Sequence, residues 1–357
     1  YRKTQGLALR RIDASTADRI TAIVQARVSG AWMAVGMTVS PDAEHRVVGM
    51  GFRNTLAPPE LLPARPFTER AIRDSIDHAI DRLVRADAFS GVVLVAKDGK
   101  AIYQRAVGLA DRRWKVPNQM DTRFNIASIG KMFTAVAIAQ LVQQHKLSYD
   151  DTLASLLPDY ASRDIARRIT VGQLLAHTSG IAPGFDLDQS FRRGLRTVKA
   201  YLPTKDADSL HFDPGTRLEY SSYGYLLLGA IVERASGQDY YDYIREHIYR
   251  PAGMTESDSY ELDTDPPNVA TGYMDASKGE RRSNIFMLPV KGLPFGLGYA
   301  TGLDLIRFQQ ALTRHVLLDS ASLARVWTGV QRYTEPNSEY GFGFIVTSYN
   351  GTRIIGH

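Results

Sequence analysis

The sequence predicts an α+β protein: an antiparallel sheet flanked by helices, a mainly helical subdomain between its strands, and a small β meander in front. Three observations predict it. Strand-like alternation with turn dipeptides lies at both ends of the chain. The middle reads in helical periods with recognisable caps. A length of 357 residues, 44% hydrophobic and 23% charged, suits a soluble globular chain of about two domains.

The elements follow in order. Residues 7–12, 20–26, 31–39 and 46–52 alternate apolar and polar positions, with turn signals at Ser29-Gly30 and Ser40-Pro41-Asp42. They predict a four-strand antiparallel meander over residues 1–54. One apolar face of such a sheet needs a cover, which either the main domain or helices upstream supply. Pro58, Pro59, Pro63 and Pro66 mark residues 55–66 as an extended linker. Residues 67–357 then form the main domain. In it, Ile72, Ile76, Ala79, Ile80, Leu83 and Val84 recur at helical spacing behind Thr68, a cap. Residues 92–96 and 101–103 flank Asp98-Gly99, and residues 340–349 and 352–355 flank Asn350-Gly351, two hairpin signatures. Between them Thr170 with Gln173 and Thr301 with Asp304 fit capping boxes.

Composition removes several chemistries. There is no cysteine, so thiol nucleophiles, thiolate metal sites and disulfides are excluded. The net charge of +5 comes largely from scattered arginine pairs such as Arg112-Arg113 and Arg281-Arg282, a solvated surface and not a nucleic-acid-binding face. The most apolar run, residues 132–142, is far short of the roughly 20 residues of a membrane span. The eight histidines form no His-Glu-x-x-His pattern, Asp263-x-Asp265 runs into two prolines, and no glycine-rich nucleotide loop occurs. Neither a metal nor a cofactor is expected.

The chemistry concentrates at Ala127-Ser128-Ile129-Gly130-Lys131, which opens the most apolar helix of the chain and holds its only S-x-x-K. Serine and lysine three apart share a helix face, and a buried lysine loses solvation of its charged form and can take the serine proton. Read alone, the spacing also fits a serine capping a core helix beside a surface lysine. A second segment, from Asp213 to Gly229, places Tyr220 just before a helix, where its phenol can serve as acid or base in a cleft or simply pack.

Taken together the motifs from about Phe89 to His357 resemble the serine β-lactamase and penicillin-binding-protein superfamily, in its class C β-lactamase and family VIII esterase branch. The likeness runs through the hairpin at 89–110, Asn125 to Lys131, Leu174-Leu175-Ala176-His177-Thr178-Ser179-Gly180, and the Tyr220-Ser221-Ser222 segment. It continues through Arg250 to Met254, Gly298 to Thr301 and Tyr340-Gly341-Phe342-Gly343-Phe344. The resemblance implies an acyl-enzyme mechanism: Ser128 attacks a carbonyl, Lys131 and Tyr220 move its proton, and the Ser128 N–H forms half of an oxyanion hole. It makes Ser222 and His357 substrate-binding residues. Ser222 stands where the family usually has asparagine, and Gly356-His357 begins the third motif at the last residue. Two further strands and a C-terminal helix are expected beyond that point, so the native protein is expected to be longer at both ends. A periplasmic or secreted location is implied as well. Residues 1–54 weakly resemble the sheet half of an NTF2-like or SnoaL-like domain. His177 reads as a structural cap. The expected activity is hydrolysis of a small-molecule ester or amide substrate, esters first. A β-lactamase, a D-alanyl-D-alanine carboxypeptidase or a D-aminopeptidase is the alternative, and a non-catalytic ligand sensor or scaffold the alternative of another class. Cleft walls are expected from residues 182–212 and 277–295.

Overall fold

In a computed structural model of the chain, residues 4–42, 46–62, 68–182, 195–202, 209–275, 280–334 and 337–357 are described. They fall into two compact units, residues 1–109 with 349–352 and residues 110–348 with 353–357. The compact units therefore divide after Leu109, whereas the sequence suggests a boundary within 55–66. The reason is visible inside the first unit, where the helix after the proline-rich stretch belongs with the meander.

That unit opens with strands β1 (Leu7–Ser15), β2 (Arg19–Ala26), β3 (Trp32–Val39) and β4 (Val47–Thr55), antiparallel in sequence order. The register sets Ile12 opposite Ala22, Ala22 opposite Val35 and Val35 opposite Phe52, one apolar row across the sheet. Helix α1 (Glu69–Arg85) starts where expected, with the Thr68 hydroxyl accepting from Ala71 N–H, and its Arg82 Nε donates to Val28 O at 2.7 Å. The hairpin of β5 (Gly91–Lys97) and β6 (Lys100–Val107) turns at Asp98 and Gly99, both at positive φ as a type I′ turn requires. Tyr103 and Arg105 of β6 donate to Asp77, and Arg105 also to Asp81, which fixes α1 on the hairpin. The linker is not wholly extended: Pro59–Leu61 makes a 3₁₀ turn, and Pro63 and Pro66 lie outside the described residues.

The second unit is built around helix α2 (Gly130–Gln143). Its run of apolar residues has no polar side, and from Gly130 to Leu141 every residue except Met132 is buried. Helix Ser222–Ser236, itself buried from Tyr223 to Val232, packs against it, as does Ser320–Val326. Phe133 of α2 meets Phe308 and Tyr249 edge-on. Thr170 and Gln173 form the reciprocal capping box expected of them. Thr301 caps its helix through Asp304 N–H, but the Asp304 carboxylate does not return to Thr301. It is fully buried and accepts from Glu256 N–H, the Ser257 hydroxyl and Arg307, so the box is one-sided. A second correction concerns residues 340–349. They are two strands, Ser338–Tyr340 and Ile345–Tyr349, paired antiparallel across a tight turn closed by Gly341 N–H to Phe344 O. Gly343 at φ +79 breaks the extended run; a Cβ there would lie 2.5 Å from Ala135 Cβ, so the turn rests directly on α2. With Gln331–Arg332 and Thr352–Gly356 these strands make a four-stranded antiparallel sheet. Among the described residues no helix is long and apolar enough to cross a membrane.

Candidate active site

Several stretches of chain converge on the N-terminal end of α2. Phe124–Asn125 pairs antiparallel with Tyr299–Ala300, Ile126 N–H donates to Gly298 O, and Asn125 Nδ2 donates to Leu297 O. The chain then bends sharply. Ala127 sits at φ +43, and residues Ala127–Ile129 form a 3₁₀ turn that runs into α2. Ser128 thus belongs to this turn and not to α2 itself. A 3₁₀ turn eclipses positions three apart, which brings the Lys131 ammonium over the serine. Lys131 Nζ donates to Ser128 Oγ at 3.2 Å. The first bond of the turn runs from Ile129 N–H to Ile126 O, and among the described residues the Ser128 N–H has no acceptor of its own.

Lys131 is fully buried. Its second bond goes to Phe295 O at 2.8 Å, and the rings of Tyr220, Tyr225 and Phe295 stand 4.7, 5.5 and 5.5 Å from Nζ. Those ring faces soften the burial only partly. Burial is the cause that pulls the ammonium from 10.5 down to about 7, so near neutral pH a large fraction of Lys131 is the free amine.

Tyr220 and His357 complete the cluster. His357 Nδ1 lies 3.1 Å from Gly343 O; a carbonyl only accepts, so Nδ1 carries the ring proton and Nε2 is bare. The Tyr220 phenol, 3.1 Å from Nε2, therefore donates to it. Burial pushes that phenol up to about 12, against the pull of a hydrogen bond with Ser128, so it stays protonated. Burial, reinforced by the Lys131 charge, lowers His357 to about 4, so the imidazole is neutral. Of the five residues singled out in the sequence, Ser128, Lys131, Tyr220 and His357 come together. Ser222 is the first residue of its helix, directly after the Ser221 cap, and has no side-chain hydrogen bond among the described residues. Besides Ser128 Oγ, the Lys131 ammonium donates to Phe295 O.

Phe295 is the part the sequence reading missed. Residues 293–298 strap the nucleophile turn to α2: Thr134 Oγ1 donates to Pro294 O at 2.6 Å, Lys131 to Phe295 O, and Leu297 N–H to Ala127 O at 3.0 Å. Gly296, at φ +136, has no room for a side chain, since a Cβ would fall 1.9 Å from Ala127 O. The signal was present as three glycines, 292, 296 and 298, within seven residues, but Gly292 read as cleft wall and Gly298 as part of the family likeness, and the three were not read together. Residues 183–194 and 203–208 of the other expected wall lie outside the described residues. Among the described residues no three His, Asp or Glu side chains converge as metal ligands would.

A family model described as beta-lactamase matches residues 76–357. The chain belongs to the beta-lactamase family. A penicillin-binding protein of Bacillus subtilis (strain 168) is 29% identical over 306 residues, 80% of this chain and 66% of its own length. The D-aminopeptidase of Brucella anthropi is 29% identical over 279 residues, 75% of this chain and 51% of its own. The chain thus spans from half to two thirds of these relatives. The crystal structure of a penicillin-binding protein from Bacillus halodurans superposes with a TM-score of 0.69 at 32% identity, covering 77% of this chain and 85% of that one.

Proposed function

We propose that the chain hydrolyses small, uncharged carboxylic esters, and more slowly amides, through an acyl-enzyme on Ser128. The observation that carries this is the 3.2 Å contact of Ser128 Oγ with a fully buried lysine whose pKa has fallen to about 7. The free amine of Lys131 takes the Ser128 proton as Oγ bonds to the carbonyl carbon, and the Ser128 N–H receives the developing oxyanion. The carbon–oxygen bond to the alcohol then breaks, with the Tyr220 phenol donating the proton the alkoxide needs and Lys131 returning one to the phenolate. Water adds to the acyl carbon in the same way and releases the acid, restoring Ser128.

Esters come first for a physical reason. Both ring nitrogens of His357 are engaged and the ring is neutral, so at that position no cation meets a substrate carboxylate. Ser222 offers one hydroxyl where a carboxamide would both donate and accept. An alcohol also leaves with less proton assistance than an amine. D-aminopeptidase activity is the second reading, favoured by the Brucella anthropi relative.

The test is parallel hydrolysis of p-nitrophenyl butyrate, a D-amino acid p-nitroanilide and a chromogenic cephalosporin by the full chain and by Ser128→Ala. Ester turnover that falls about a thousandfold in Ser128→Ala supports the proposal. Faster cephalosporin or anilide turnover moves the assignment to β-lactamase or aminopeptidase, and ester turnover indifferent to Ser128→Ala overturns the serine mechanism.

A further inference from the structure

The His177-Thr178-Ser179-Gly180 segment has no part in the chemistry above, yet it lies against the residue that does. We propose that this segment is a splint for Tyr220, and that His177 is a positioning residue that sets the phenol for its proton transfer by accepting the neighbouring Ser221 N–H. The proposal rests on the serine-hydrolase assignment of the same site.

The splint is a ladder of bonds between residues 177–182 and 211–221. His211 N–H donates to Gly180 O, Gly215 N–H to Thr178 O, and Glu219 N–H to His177 O, at 2.8, 2.7 and 2.9 Å. Beyond them Ser221 Oγ donates to Ala182 O at 2.8 Å and Ser221 N–H to His177 Nδ1 at 3.1 Å. Tyr220 is therefore gripped on both sides, at Glu219 by the backbone of His177 and at Ser221 by its side chain. The imidazole also lies against the Tyr220 ring, centroids 4.2 Å apart, and against Tyr340 at 4.6 Å and Tyr225 at 5.1 Å.

Two features show that the ring is kept for its acceptor and not for packing. Because Nδ1 accepts, the proton is on Nε2, which is buried with no hydrogen-bond partner among the described residues. A phenyl ring would fill the same space without a stranded N–H, but it would leave Ser221 N–H unpaired. His177 also holds φ +58, in the left-handed region where histidine is enriched over most side chains. Burial, with the charge Lys131 carries when protonated, keeps the imidazole neutral, as the acceptor role needs. The phenol so placed donates to His357 Nε2 beside Ser128 and Lys131.

The test compares His177→Asn, His177→Gln and His177→Leu in the full chain, with and without Tyr220→Phe. Asparagine puts an oxygen near the Nδ1 position and tolerates the left-handed backbone; glutamine reaches the Nε2 position, and leucine supplies neither acceptor. The readouts are kcat and KM for p-nitrophenyl butyrate, and the rate of Ser128 labelling by a fluorophosphonate, which registers slow variants. His177→Leu is expected to lower kcat and labelling by about a hundredfold with KM little changed, and His177→Asn to stay within about fivefold of the parent. In the Tyr220→Phe background the leucine change should add less than about twofold, because the group it positions is already gone. Equal rates for the asparagine and leucine variants overturn the proposal, as do effects that multiply in the double variant. Should His177→Leu fail to fold by circular dichroism, the asparagine-to-glutamine ratio decides, and a ratio near one overturns it. Labelling of Ser128→Ala at the parent rate would instead break the underlying serine assignment, a separate failure.

Discussion

Replacing Lys131 by methionine separates the electrostatics of the site from everything else the residue does. An unburied lysine titrates at 10.5, while Lys131 in the fold titrates at about 7. The folded pKa is the lower one, so between these values the unfolded chain binds the extra proton and stability is lost as pH falls from 10.5 toward 7. At about 1.4 kcal/mol per pH unit, the penalty is about 4 kcal/mol at pH 7 and about 2 kcal/mol at pH 9. Methionine fills similar volume and does not titrate. It leaves Phe295 O without its donor, a cost of about 1–3 kcal/mol that does not change with pH. Lys131→Met is therefore expected to be more stable than the parent by about 1–3 kcal/mol at pH 7, and that advantage should shrink by about 2 kcal/mol at pH 9. Urea unfolding of both proteins at the two pH values measures it, and p-nitrophenyl butyrate turnover should fall about a thousandfold in the variant. A stability difference that is the same at pH 7 and pH 9 would mean that Lys131 titrates normally. An ammonium charged at neutral pH cannot take the Ser128 proton, and the proposed base would be refuted.

Three more outcomes follow from the same geometry. Gly296→Ala drives a methyl into Ala127 O and should lower stability by about 2–4 kcal/mol and ester turnover more than tenfold; a melting temperature and rate equal to the parent's would show that the strap does not set the nucleophile turn. His357, held at about 4 against an ordinary 6.5, contributes stability that is whole above pH 6.5 and lost as pH falls toward 4, about 3 kcal/mol in all. Thermal unfolding of His357→Gln should have a correspondingly shallower slope across that window, and an unchanged slope counts against a neutral His357. Ser222→Asn supplies the missing carboxamide and should raise cephalosporin turnover relative to ester turnover about tenfold, read from the ratio of the two rates in one preparation.

Much of the site was legible because its signals are local. A serine and a lysine three apart at the mouth of an apolar helix announce themselves, as do the Thr68 and Thr170 caps and the Asp98-Gly99 turn. These depend on spacing within a few residues, which the sequence displays directly. The meander was equally open, because alternation is a period-two property of each strand. Less local features were misjudged. Residues 340–349 looked like one strand until Gly343 turned, and Asp304 looked like a capping partner until its carboxylate went to Glu256 and Ser257.

The sequence by itself determined the family to which the chain belongs and singled out the residues proposed to carry the chemistry, since residue type and order are enough for both. Only the tertiary structure decided what those residues are. Lys131 is half-neutral because distant rings and the carbonyl of Phe295 shut water away from it. Tyr220 is a donor because His357, 137 residues later, presents a bare nitrogen. His177 changes from a cap into a splint because Ser221 lies within 3.1 Å of it. A pKa and a proton's direction are set by solvent exclusion and by partners brought from far along the chain, and neither quantity is a property of the local sequence.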